Sequence, residues 1–387
     1  MYLFLISFLS LYGGLHCYAF IKLSNAFGFQ RFEKWLLVLW MSFMTAIPIL
    51  VRIAEHLEME KVSVTLAWPG YLWMGFIFIF TSAQLFADLI HFFYRLITLI
   101  FFRRNPECIS YNTIARSVLV IAICASVYAF IEAGQIHIER VVIPSSKLPE
   151  SVSGIRIVQI SDVHVGLLLQ ESRLRRIADE IRRAKPDILI STGDLVDGKL
   201  NRDDAIYANN PLAALLASIP ASTGKFAVAG NHEVYAGLPQ AIAFTQAAGF
   251  TMLRNHSVRL TNGVTITGID DQAVLARKHA DPAVENALLK SVSSDSFHLL
   301  LKHRPEIQPE SDGHFDLQLS GHVHGGQIFP FNFLVWLKHR IPCGTTITGK
   351  GSRIHVSRGT GTWGPPMRLF VPPEITIIDV VREQQLK

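Results

Sequence analysis

Short apolar runs in this chain end repeatedly in a carboxylate, an imidazole or an amide. Ile155–Ile160 runs into Ser161-Asp162-Val163-His164, Asp187–Ser191 into Thr192-Gly193-Asp194, and Lys225–Val228 into Ala229-Gly230-Asn231-His232-Glu233. Further on, Phe297–Leu301 leads to His303 and Leu317–Leu319 to Ser320-Gly321-His322-Val323-His324. A single Asn-His pair in a turn says little, because such pairs are common at surfaces. The same chemistry at one strand end after another says more. Asp162, His164, Asp194, Asn231, His303, His322 and His324 offer carboxylate oxygen, imidazole nitrogen and one amide oxygen. That mixture suits borderline divalent ions such as manganese, iron or zinc and not an all-oxygen calcium cage. Alternate residues of an extended backbone share a side, so the Asp-x-His and His-x-His pairs are each expected to face one point. The donors suffice for two ions only if a carboxylate bridges, and Asp194, central and with no ligand beside it, is the natural bridge. The competing reading, that these groups merely cap strands and turns, accounts for each one singly but not for their common position.

For such groups to meet, the apolar runs must be strands whose carboxyl ends gather at one sheet edge, where open α/β sheets bind ligands. The runs lack alternation, as expected of strands buried on both faces. Between them lies helical spacing. Leu174, Ile177, Ala178 and Ile181 mark a helix over Glu171–Ala184, stopped before Pro186. Further helices are expected at Pro211–Ser218, Leu238–Ala248 and Pro282–Val292, and further strands at Ser257–Leu260 and Val264–Ile269. The recurring order of strand, polar turn and helix predicts a layered α/β fold.

The chain ahead of this domain is of another kind. Half of the 387 residues are hydrophobic, too many for ordinary soluble domains, and the excess lies before about residue 135. A helix crosses a bilayer with ~20 mainly apolar residues. Tyr2–Ile21, Trp35–Val51, Tyr71–Ile90 with a continuation through Phe102, and Ser117–Ile131 qualify. Residues 1–135 are therefore expected to be a transmembrane region with about four helices, 136–150 a linker and 151–387 the α/β domain. The first span lacks a basic leader and a small-residue cleavage site, so it is expected to stay on the chain. Lys22, Arg31 and Lys34 near the first connection, and Arg95, Arg103, Arg104 and Arg116 near the third, outweigh Arg52 and Lys61, which Glu55, Glu58 and Glu60 dilute. The positive-inside rule then puts the first and third connections in the cytoplasm and the α/β domain outside the inner or plasma membrane. Asp88 and His91 in the third span are expected to reach water at the interface.

The net charge of +5 suits anionic lipid head groups. The interleaved aromatic and basic residues of a nucleic-acid module are missing, so a membrane and not a nucleic acid is the expected partner. Cys17 and Cys124 fall in spans, Cys108 in a connection and Cys343 alone in the domain. That excludes a disulfide within the domain and a Cys-x-x-Cys metal site.

The series Asp162-x-His164, Gly193-Asp194-x-x-Asp197, Gly230-Asn231-His232-Glu233, His303 and Gly321-His322-x-His324 resembles, in order and without a gap, the calcineurin-like metallophosphoesterases. His324-Gly325-Gly326-Gln327, Ser357-Arg358-Gly359-Thr360-Gly361, Met367-Arg368-Leu369-Phe370 and Pro373-Glu374-Ile375 are similar to the membrane-associated bacterial branch with YkuE and YaeI type phosphoesterases. The resemblance covers about residues 150–382. It implies a four-layer α/β sandwich, two mixed sheets flanked by helices, preceded by an all-α transmembrane region. It also implies a dinuclear centre, with Asp162, His164, Asp194 and His324 on one ion and Asp194, Asn231, His303 and His322 on the other. Two such ions ~3.5–4 Å apart share a water, lower its pKa and aim it in line at phosphorus. His232 would give the leaving oxygen its proton and Asp197 would hold the ring. The activity implied is hydrolysis of phosphodiester or pyrophosphate bonds by a membrane-anchored enzyme, with lipid-linked or envelope metabolites among the substrates. Phosphomonoesters or phosphoproteins on the same centre, or a receptor or scaffold whose domain only binds, are the alternatives.

A few residues stand outside that set. The apolar run Ile328–Leu337, ending in Lys338-His339-Arg340, reads either as a segment dipping into the membrane interface or as part of the domain's own core. Arg358 and Arg368 read as phosphate contacts or as surface ion pairs. His256, His279, His298, His314, His339 and His355 lack strand-end spacing and read as surface or packed histidines. Glu233 reads as a support of its loop.

Overall fold

The computed structural model describes residues 2–103, 109–169, 171–198, 210–274, 282–339, 341 and 343–383. Arg104, Cys108, His279 and Arg340, named above, lie outside them. Two compact units result, one of residues 1–132 with 364–369 and one of residues 133–363 with 370–387.

The second unit is built on two mixed sheets. In the first, the spatial order is β1 (His137–Ser145), β12 (Glu374–Arg382), β2 (Gly154–Ile160), β3 (Ile188–Ser191), β4 (Gly224–Ala227) and β5 (Thr251–Met252). Strands β2 to β5 run parallel, β12 is antiparallel to β2, and β1 is parallel to β12. In the second, the order is β10 (Gly344–Ile347), β11 (Arg353–Val356), β9 (Leu317–Ser320), β8 (Phe297–Leu301), β7 (Val264–Gly268) and β6 (His256–Arg259). Here the four inner strands are parallel and the edges β6 and β10 antiparallel.

Side-chain alternation along each strand decides which layer a residue joins. Ile155 and Ile157 of β2, Ile188 and Ile190 of β3, and Leu299 and Leu301 of β8 fill the space between the sheets. Val158, Ile160 and Leu189 point the other way and pack with Leu174, Ile177 and Ile181 of α5 (Glu171–Ala184), Leu216 of α6 (Pro211–Ala217) and, beyond the short α7 (Asn231–Ala236), Phe244 of α8 (Leu238–Ala247). Outside the second sheet, Leu300 meets Leu289 of α9 (Pro282–Lys290). Helices thus flank both sheets. Covering on both faces explains why the strands read as unbroken apolar runs.

The stretch 136–150, expected as a linker, carries β1, which pairs along β12 from His137 opposite Glu374 to Ser145 opposite Arg382. It is an edge strand whose exposed His137, Glu139 and Arg140 break up the apolar run that betrays a central strand. The tail strands β11 and β12 place Glu374 in a buried polar cluster, where its carboxylate pairs with Arg358 and lies 3.5 Å from His355 and 2.9 Å from Thr376 Oγ1.

The first unit holds α1 (Tyr2–Phe27), α2 (Arg31–His56), α3 (Glu60–Phe102) and α4 (Tyr111–Ala133), each long and apolar enough to cross a membrane. At ~1.5 Å per residue α3 is about 65 Å long, twice the ~30 Å hydrocarbon thickness. Asp88, expected to reach out to water, is instead bound within the unit, to Lys22, to Tyr18 Oη at 2.6 Å and to Gln84 Nε2 at 3.0 Å. His91 is buried, with its ring 4.4 Å from that of Tyr111. Residues 364–369 belong here too: Arg368, fully buried, donates its backbone N–H to Ala129 O at 2.8 Å.

The Glu374 cluster generates a pH test. Burial alone would raise this carboxyl, but His355 and Arg358 outweigh it and hold the pKa down to about 2. A carboxyl depressed on folding contributes stability that is complete above its unfolded pKa and lost as pH falls toward the folded one. Full-length protein in detergent is expected to be about 3 kcal/mol more stable than Glu374→Gln above pH ~5. The gap should narrow steadily below pH ~4.5. A gap in melting temperature that stays constant down to pH ~3 would contradict this.

Candidate metal centre

All the predicted donors come together at the carboxyl ends of β2, β3, β4, β8 and β9. Asp162, His164 and His324 form one group whose ligand atoms lie within 4.8 Å of one another; Asp194, His303 and His322 form a second, and His164, Asp197 and His232 a third. Within each of the first two, ring nitrogens face each other: His164 Nε2 is 3.1 Å from His324 Nε2, and His322 Nδ1 is 3.1 Å from His303 Nε2. Asp194 Oδ2 is 3.1 Å from His303 Nε2, and Asp162 Oδ1 is 3.5 Å from His324 Nε2.

The backbone reaches this convergence by a route the pattern did not suggest. Asp162, His164, Asp194, His322 and His324 all have left-handed φ, between 49° and 72°. The paired residues therefore share a direction through tight turns and not through a strand pleat, which corrects the expectation from an extended backbone. Left-handed φ is unfavourable for a residue with a Cβ and persists where the surroundings over-determine it. Here the loops lock into one another. Asp162 accepts the His322 N–H at 3.0 Å, and Asp194 Oδ1 accepts the His232 N–H at 2.8 Å. A Cβ on Gly321 would collide with Ser161 and the Asp162 carboxylate, and one on Gly230 with the Asp194 carboxylate.

Glu233 is the hub of that lock. Its carboxylate accepts the backbone N–H groups of Asp194, Leu195 and Val196 at 3.0, 2.7 and 3.3 Å and that of Gly230 at 2.7 Å. It supports its loop, as its position in the motif suggested, and a second loop as well.

The donors fit cations. Asn231 Oδ1 and His164 Nδ1 are buried without a hydrogen-bond partner among the described residues, a costly state for polar atoms unless something else satisfies them. His303 Nδ1–H donates to Thr192 O at 2.8 Å, which turns Nε2 toward the cluster. Burial would lower the His303 pKa, but the charges of Asp194 and Asp162 raise it to about 10. Burial, with His303 and Arg304 beside it, pushes His322 down to about 2. The carboxylates thus favour positive charge at His303, while His322 beside it is held neutral. His232 borders the first donor group, its ring 4.7 Å from that of His164; its Nδ1 is 2.9 Å from Asp197 Oδ1, and its ring packs 5.7 Å from that of Trp363. Burial would lower its pKa, but Asp197 and Asp194 prevail and raise it.

A calcineurin-like phosphoesterase model matches residues 155–326. An uncharacterized metallophosphoesterase of Aquifex aeolicus is 37% identical over 68% of this chain and 98% of its own length. The chain belongs to the calcineurin-like metallophosphoesterases. The Bacillus subtilis metallophosphoesterase YkuE is 31% identical over 64% of this chain and 86% of its own. A zebrafish transmembrane protein with a metallophosphoesterase domain is 30% identical over 71% of this chain and 65% of its own, so the chain spans just under two thirds of that relative. With its four apolar helices, this metallophosphoesterase is membrane-associated.

Other residues fall into place around the centre. Arg304, which no motif singled out, donates from Nη1 to His322 Nε2 at 2.9 Å and pairs through Nε with Asp271 at 2.8 Å. Its position directly after His303 was the available signal. His339, read as surface or packed, has its ring 6.3 Å from that of His322. Arg358 pairs with Glu374 and Glu139, and Arg368 belongs to the helical unit. His298 and His355 are buried in hydrogen bonds to Thr267 and Thr376, while His256 is exposed.

The hub makes a prediction. Glu233→Ala would strand four backbone donors and is expected to cost about 3 kcal/mol or more. It should lower bound metal as well as the melting temperature. A variant with unchanged melting and unchanged metal content would show that the hub does not hold the loops.

Proposed function

We propose that this metallophosphoesterase is a multi-pass membrane enzyme with a dinuclear centre that hydrolyses phosphodiester or pyrophosphate bonds, lipid-linked ones included. Two separate three-residue donor groups, with an unpartnered buried Asn231 oxygen beside them, carry the reading. Asp162, His164 and His324 would hold one divalent ion and Asn231, His303 and His322 the other, with Asp194 common to both. Manganese, iron and zinc suit that mixture of oxygen and nitrogen. When bound, such ions polarise the phosphoryl oxygens and supply an activated water for in-line attack.

The protein's own groups complete the chemistry. His232 holds a proton for the leaving oxygen as the phosphorus–oxygen bond breaks, because Asp197 accepts at Nδ1 and leaves Nε2 free for the substrate side. Asp197 is the positioning residue and His232 the catalytic one. Basic residues around the first and third connections favour a catalytic unit on the extracytoplasmic side, with residues 1–135 as anchor. Topology reporters fused to either terminus should both read extracytoplasmic, and a split result would discard that orientation.

The decisive measurement pairs metal content with turnover of bis-(p-nitrophenyl) phosphate by the full-length protein in detergent. Asp194→Asn should lose bound manganese and essentially all activity. His232→Asn should keep its metal and lose about 10²–10⁴-fold in kcat. Equal rates for wild type and Asp194→Asn would favour the non-catalytic scaffold instead. A phosphomonoesterase or protein phosphatase would reveal itself by turning over p-nitrophenyl phosphate or a phosphopeptide well above the diester.

A further inference from the structure

The helix that follows the His-x-His turn, α10 (Phe331–His339), buries only Val335. Phe331, Phe333, Leu334, Trp336 and Leu337 are 46, 57, 57, 55 and 67% exposed. A helix packed on a soluble domain hides an apolar stripe on one side. A helix in water does not carry large apolar residues over most of its surface. Neither describes α10. The exposed surface continues past the helix, since the Phe329 ring is 5.7 Å from Phe333 and 6.0 Å from Phe370, itself 68% exposed. Trp363, 52% exposed, is tied to the same segment by two 2.9 Å hydrogen bonds between its backbone and the Gln327 side chain. Its ring lies beside His232, and His339 at the end of α10 lies beside His322. An apolar rim therefore borders the candidate centre at two points.

We infer that this rim is a bilayer-docking surface, and that the phosphoester brought to the centre is carried on a lipid head group; the second part rests on the phosphoesterase reading above. A bilayer is the occupant the chain itself supplies. Four of its helices are long and apolar enough to cross one, and α4 ends at Ala133, four residues before β1 begins at His137. Trp363 and Phe370 are the residues on either side of 364–369, which belongs to the helical unit. Phenylalanine and tryptophan are the side chains that sink ~5–10 Å into the head-group and acyl boundary. Exposed Lys338 at the carboxyl end of α10 complements lipid phosphate.

The test uses full-length protein in vesicles of phosphatidylcholine and phosphatidylglycerol. Two p-nitrophenyl phosphodiesters are compared, the soluble bis-(p-nitrophenyl) phosphate and a dioleoylglycerol-linked one embedded in the bilayer. Phe333→Glu with Trp336→Glu should lower kcat/KM on the lipid ester by about tenfold or more while the soluble rate stays within about twofold. Equal effects on both substrates, or none on either, overturn the inference. An activity-independent arm places a bimane fluorophore at Leu334→Cys after replacement of the native cysteines. Quenching by nitroxide lipids supports docking. Quenching by aqueous iodide alone overturns it and is the outcome for a face that awaits a protein or a second copy of this chain. If wild type and Asp194→Asn match on both esters, the phosphoesterase reading falls, and the label still decides whether the rim meets lipid.

Discussion

The catalytic unit is organised around a repulsion. Asp162 and Asp194 are both buried, and four imidazoles gather around them, paired nitrogen to nitrogen at 3.1 Å, with His303 3.1 Å from Asp194 and His324 3.5 Å from Asp162. Buried carboxylates do not stay ionised without compensation. In the protein alone, Asp194 keeps its charge despite burial because His303 and His232 lie beside it, and its pKa falls well below the usual range. Asp162, where burial outweighs its histidine neighbours, is pushed up. The two carboxylates are thus shifted in opposite directions within one cluster. The surrounding fold reads as the frame that keeps these groups from separating.

That frame works because its restraints are backbone restraints. Glu233 grips four N–H groups from two loops, and the carboxylates of Asp162 and Asp194 each accept an N–H from a neighbouring turn. Side chains alone would rotate away from one another. Buried strands such as β2 and β3, packed through Ile157 and Ile190 on one face and Val158 and Leu189 on the other, fix where each loop starts. Left-handed φ at five donors then fixes where each loop points. The cost of those conformations is met by the packing of the two sheets.

These facts mark what sequence pattern reveals. Ile155–Ile160 and Phe297–Leu301 were legible because a strand covered on both faces must be apolar throughout, and the donors were legible because they follow such runs directly. The conformation of His164 and His322 was not, since histidine carries no mark of positive φ as glycine does. Strand β1 escaped because its partner lies more than two hundred residues away and His137, Glu139 and Arg140 interrupt its apolar residues. Arg304 and Asp271 escaped for a related reason: they act on His322 through contacts that only the assembled second sheet creates. Residues 364–369 look like ordinary domain sequence, yet they group with the apolar helices.

The same comparison separates two kinds of exposed or buried exception. In the helical unit, Asp88 is an ionisable group in apolar surroundings, and the fold answers it with Lys22, Tyr18 and Gln84, so the exception closes on itself. In α10 the exception runs the other way, with apolar side chains facing outward and no described element covering them. A buried charge left unpaired destabilises its fold and is corrected within it. An exposed apolar rim costs the isolated chain little, and it gains only when something outside the chain removes it from water. Asp88 therefore speaks to assembly of the anchor, whereas Trp336 and its neighbours speak to what the catalytic unit meets.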